Sequence, residues 1–155
     1  MTQRTYTALA MIFGLTLAGL AAPALAADPI PNIKGKWVGK TYSIVAGKGA
    51  HWPSSQGTFE KPGMFEKDIT IDVTNQEGRR FWGMQTFAGS GEKTEEPMIG
   101  ELTGEGNRTV VLVDTDGILN GRLTSDDVLS FCYTQVSGGS ARPSVVSCTE
   151  IKRAR

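Results

Sequence analysis

The chain has 155 residues, with 16 Lys and Arg against 16 Asp and Glu, one His and two Cys. A balanced charge without a basic stripe argues against nucleic acid as the main partner and against an electrostatic hold on anionic lipid. One His and one Cys pair argue against a multi-His metal site and most Cys/His zinc sites.

Residues 1–26 place Arg4 ahead of an apolar stretch of about 15 residues, which is shorter than the ~20 of a spanning helix. Ala24-Leu25-Ala26 then supplies a small-residue cleavage box. This is the pattern of a secretory signal peptide. No Cys follows it to carry a lipid anchor, and no later segment is apolar enough to span a membrane. The expectation is a single domain over residues 27–155, exported to a bacterial periplasm or the medium.

That domain reads as short alternating runs broken by Gly, Asn and Asp turns, with no sustained helical period. Residues 36–45 carry Trp37, Val38, Tyr42 and Ile44. Residues 66–74 alternate Ile69, Ile71 and Val73 against Asp68, Thr70 and Asp72. After the turn at Asn75-Gln76-Glu77-Gly78, residues 79–87 return. There Phe81, Gly83, Gln85 and Phe87 alternate with Trp82 and Met84, and either set fits the interior. Residues 98–102 and 108–114 follow, and Asp116-Gly117 marks a tight hairpin. Residues 118–123 put Leu119, Gly121 and Leu123 in phase, and residues 128–136 do the same with Leu129, Phe131 and Tyr133. Residues 145–153 close the chain. Eight short strands at regular spacing predict an all-β fold, a single eight-stranded antiparallel up-and-down barrel.

Export makes a disulfide between Cys132 and Cys148 the expected state. It would staple the last two strands and close a loop of about 17 residues, which contributes ~3 kcal/mol in the chain-entropy model. With no CxxC and no neighbouring His, its role reads as structural.

Gly35-Lys36-Trp37 opens the first strand and Arg153 ends the last. This resembles the calycin superfamily, which includes lipocalins, fatty-acid-binding proteins and avidins. The resemblance implies that Gly35 and Trp37 pack at the closed end of a barrel. It also implies that Arg153, or Lys152, lies across the indole, where a cation gains energy from the aromatic face. The length and strand count are most similar to the avidin-like meander. The biotin-binding pattern is not matched, because the end of the first strand reads Gly39-Lys40-Thr41-Tyr42-Ser43 and no late-strand Trp exists.

Residues 46–65 form the longest irregular stretch, of a length that suits a lid or binding loop. It holds His51 and Trp52. These are the first candidates for ligand contact, the alternative being a Trp52 plug beside a solvated His51. Tyr42 and Trp82 are further candidates for lining the barrel. Asp114-Thr115-Asp116-Gly117 resembles the start of a calcium loop, but Ile118 breaks the ligand pattern and a β-turn explains it better. The acidic segment 92–96 reads as a solvated linker. No Ser–His–Asp set, G-x-S-x-G, dinucleotide fingerprint or Walker A is present, so neither enzymatic activity nor a cofactor is expected. The expected function is binding of a small, mostly apolar ligand. The alternatives are a protein-interaction module, such as an inhibitor of a hydrolase, and an enzyme using His51. The oligomeric state stays open.

Overall fold

The computed structural model describes residues 28–48, 56–136 and 143–155. The expected signal peptide, 1–26, lies outside them. Nine strands follow in order: β1 (Gly35–Lys48), β2 (Gln56–Gly57), β3 (Gly63–Glu77), β4 (Arg80–Gly89), β5 (Glu92–Thr103), β6 (Thr109–Val113), β7 (Ile118–Ser125), β8 (Val128–Gln135) and β9 (Ser144–Arg153). β1 and β3 to β9 pair antiparallel with their chain neighbours, and β1 pairs again with β9 from Trp37↔Arg153 to Ala46↔Ser144. The result is a closed eight-stranded up-and-down barrel, as the alternating runs predict. Closure leaves none of these eight strands with an unpaired edge. Among the described residues no helix is long and apolar enough to cross a membrane.

Two segments differ from expectation. Parts of the stretch 46–65 are strand among the described residues: Gly47 pairs with Gly57, Lys48 with Gln56, and Gly63 begins β3 opposite Val45. Glycines hide this strand because they contribute nothing to an alternating pattern. At Gly57 glycine is required, since a Cβ there would lie 2.3 Å from the Gly63 nitrogen and 2.5 Å from the Val45 carbonyl oxygen. The acidic segment 92–96 is the first part of β5, paired with β4 from Gly89↔Glu92 onward.

One end of the barrel is packed solid. The Arg153 guanidinium lies 4.3 Å over the Trp37 ring. Its Nη1 donates to the Lys34 carbonyl at 2.7 Å, and its Nη2 to the carbonyls of Asn32 at 2.9 Å and Asp126 at 3.0 Å. Its Nε donates to Asp127 Oδ1 at 3.0 Å. The Trp37 indole N–H in turn donates to the Ile33 carbonyl at 2.9 Å. Gly35 has φ +113°, which admits the chain to β1 at an angle that an L side chain rarely adopts. Residues 28–34 run beneath this floor. The Gln76 side chain anchors them, accepting from Ile33 N at 2.9 Å and donating to the Pro31 carbonyl at 2.8 Å. Trp37, Ile71, Phe81, Leu123 and Leu129 leave a void of only about 10 Å³ here, roughly the minimum for one water.

Cys132 and Cys148 face each other across β8 and β9 and are disulfide-bonded, 16 residues apart in sequence. The bond is consistent with an oxidising, exported environment.

Arg153→Ala removes four hydrogen bonds and the aromatic contact together. It is expected to lower unfolding free energy by about 2–4 kcal/mol, read by urea denaturation. Arg153→Lys should recover less than half of that, because an ammonium cannot reproduce the planar fork. Replacing both cysteines by serine should cost about 3 kcal/mol in the same assay.

Candidate functional site

Toward the other end the interior is hollow. A cavity of about 70 Å³ lies among side chains from seven strands and the β6–β7 turn. That is several times the ~10–15 Å³ one water needs and well below the ~300 Å³ of pockets that take drug-sized ligands. Part of its wall is apolar, from Val45, Ile69, Phe87, Leu119, Phe131 and Val145. Thr41, Ser43, Lys67, Gln85, Glu96, Tyr133 and Ser147 supply polar groups. The lining is therefore mixed.

Strand alternation places each polar group. Thr41 and Ser43 share the inward phase of β1 with Trp37, and Gln85 shares that of β4 with Phe81 and Phe87. The open phase of residues 79–87 is thereby settled, with Trp82 and Met84 outside. Gln85 is completely buried, at 0 % exposure. Its Nε2 donates to Asp114 Oδ2. Asp114 belongs to the β6–β7 turn, where its Oδ1 accepts from the backbone N–H of Asp116 at 2.9 Å and of Gly117 at 2.7 Å. This is the turn expected at Asp114–Gly117, closed by a side chain that bonds the backbone two and three residues on. The Tyr133 hydroxyl leans toward the same Oδ1 at 3.4 Å. Glu96, 8 % exposed, accepts from Thr115 Oγ1 at 3.1 Å.

Two buried polar atoms in the cavity wall have no hydrogen-bond partner, Gln85 Oε1 and Ser147 Oγ. Such atoms are uncommon in folded proteins, because an unmet buried group costs about 1–3 kcal/mol.

The electrostatics are uneven. Burial pushes the Tyr133 phenol well above its ordinary range, and the carboxylates of Asp114, Glu96 and Asp116 add to that shift. Burial also lowers Lys67 to about 8, opposed by the nearby charge of Glu92. Among the described residues no group of three or more His, Cys, Asp and Glu side chains is arranged to hold a metal ion.

The expected site residues fall elsewhere. Tyr42 is outward, with 59 % of its surface exposed, because the inward positions beside it belong to the small polar Thr41 and Ser43. Trp82 is also outward, on an outer apolar row that runs across the sheet through Ile99, Val113 and Ile118. Neither lines the cavity, which corrects their expected placement inside the barrel. His51 and Trp52 lie outside the described residues. Lys67, Gln85, Glu96, Tyr133 and Ser147 were not singled out as site residues. Their signal was a polar residue at an inward phase, or, for Glu96, a strand read as a linker.

No protein family matches this chain, and no curated protein matches it. The closed eight-stranded antiparallel barrel is compatible with the calycin-like architecture that Gly35, Trp37 and Arg153 resemble.

The pH dependence of stability carries a sign from Lys67. Its folded-state value, about 8, lies below the ordinary 10.5. Between those values the unfolded chain binds the extra proton, so this group's contribution to stability rises with pH. The difference in unfolding free energy between wild type and Lys67→Met should therefore shift in favour of wild type from about pH 8 to pH 10. Paired denaturation curves test this, and a flat difference removes the shifted lysine.

Proposed function

We propose that the protein is an exported, non-enzymatic barrel of calycin-like type. It binds a small ligand, apolar over most of its surface, in the hollow half of the barrel. One observation carries this reading: the floor is filled to within a water's volume while the opposite half keeps a cavity with two unpartnered buried polar atoms. A core shaped only for stability has no use for such atoms. The size of the cavity favours a ligand of a few heavy atoms over a fatty acid or retinoid. The segment joining β1 to β3 leaves and returns at this end, where Val45 pairs with Gly63, which supports a lid role for the stretch between them. An exported location, periplasm or medium, fits the leader and the disulfide together.

Native mass spectrometry of the protein, exported through its own leader, tests this directly. A reproducible small adduct lost on denaturation is expected, and a bare protein under gentle desolvation counts against the reading. Ser147→Val supplies a second test. It removes an unmet hydroxyl and fills part of the cavity, so ligand-free stability should rise by about 1 kcal/mol while adduct retention falls. Gain of stability at the expense of binding is the mark of a residue kept for function.

A further inference from the structure

The geometry points to a small primary ammonium ion with a short apolar tail as the ligand of this cavity, held through Gln85 Oε1 and Ser147 Oγ under the charge of Glu96, Asp114 and Asp116. This inference rests on the small-ligand reading above and names the chemistry of that ligand.

The first step is a tally of donors and acceptors. Asp114 can only accept, so it takes the Gln85 amide nitrogen and leaves the Gln85 carbonyl oxygen as an unmet acceptor on the cavity wall. The Tyr133 hydroxyl directs its hydrogen toward Asp114. Thr41 Oγ1 directs its own toward the Lys67 carbonyl at 3.5 Å. Tyr133 and Thr41 thus turn their hydrogens away from the cavity, while the unpartnered Ser147 hydroxyl can accept as well as donate. The Gln85 carbonyl oxygen is met only by a ligand that donates, and Ser147 Oγ can accept from the same donor.

The second step is charge. Glu96 and Asp116 line the cavity, and Asp114 stands behind Gln85 and Tyr133. All three carboxylates act on the Tyr133 hydroxyl, so their field reaches the cavity. Lys67 is the one cationic side chain among the described residues of the lining, and the charge of Glu92 already acts on it. A donor placed here is therefore stabilised further if it is positive. A primary ammonium has three N–H groups for the acceptors, and a buried charge needs both a counter-charge and hydrogen bonds. The third step is shape. About 70 Å³ with one apolar wall suits a tail of a few carbons against Phe87, Leu119 and Phe131, and excludes a long chain.

The test is calorimetric titration of the intact, disulfide-bonded protein at pH 7 with three probes of three carbons each: n-propylammonium, 1-propanol and propionate. The expected order puts propylammonium at least 10-fold tighter than propanol, with no measurable propionate binding. Glu96→Gln should weaken propylammonium about 10-fold and leave propanol within twofold. Should that variant fail to fold, Lys67→Gln gives the opposite sign, because removing the competing cation tightens propylammonium. Propanol or propionate binding as tightly as propylammonium overturns the ammonium assignment and leaves a small-ligand barrel standing. Failure of all three probes to bind overturns the assignment as well, and a bare native mass spectrum in addition takes the small-ligand reading with it.

Discussion

The Arg153 guanidinium over the Trp37 ring holds one end of this barrel together. It joins four parts of the chain that are distant in sequence: the strap of residues 28–34, the start of β1, the turn at Asp126 and Asp127, and the end of β9. An eight-stranded barrel encloses little more than its own side chains. A single cation and a single indole can therefore seal its cross-section. Because the seal uses hydrogen bonds to backbone carbonyls, it satisfies the polar groups of the strap and leaves the layer above it free to be wholly apolar. Both register shifts in the sheet, at Val73/Asn75 and Leu123/Ser125, lie near this floor. Bulges there add the bend that draws the strands over the plug.

A sealed floor makes a polar half affordable at the other end. Strand closure and the floor core of Trp37, Ile71, Phe81 and Leu123 already define one register for every strand. A slip of one residue would turn all of these outward. Register is thus secured without help from the upper half, where Thr41, Gln85, Glu96 and Ser147 occupy inward positions that a stability-driven core would give to Val or Leu. The two halves divide the labour: the lower half specifies the fold, and the upper half carries charge, unmet acceptors and space.

That division also explains what was legible in the sequence. Where inward residues are apolar, as at Ile69, Ile71 and Val73 or Leu129 and Phe131, alternation announces both the strand and its face. The disulfide was legible because a lone Cys pair leaves little choice. The Trp37–Arg153 contact was legible through resemblance, since two residues so far apart in sequence carry no local signal. The cavity was not legible. Its inward residues are polar, so the rule that large apolar residues point inside selected Tyr42 and Trp82, which face outward. Glu96 was hidden a second way, because an acidic run imitates a linker when the strand partner that straightens it, β4, is not known to be there.

Asp114 shows how closely site and fold are linked. As a turn residue its carboxylate has an ordinary task, to accept the N–H groups of Asp116 and Gly117 and close the β6–β7 hairpin. One of its two oxygens suffices for that. The other reaches across the barrel mouth to the Gln85 amide and decides which way that amide faces. A neutral turn residue such as Asn would close the hairpin equally well, but its amide nitrogen could meet Gln85 only by turning the glutamine round. The cavity would then present an N–H where it now presents a carbonyl. The polarity of the site is thus set by the charge of a residue in a loop whose sequence, Asp114-Thr115-Asp116-Gly117, reads as nothing more than a turn.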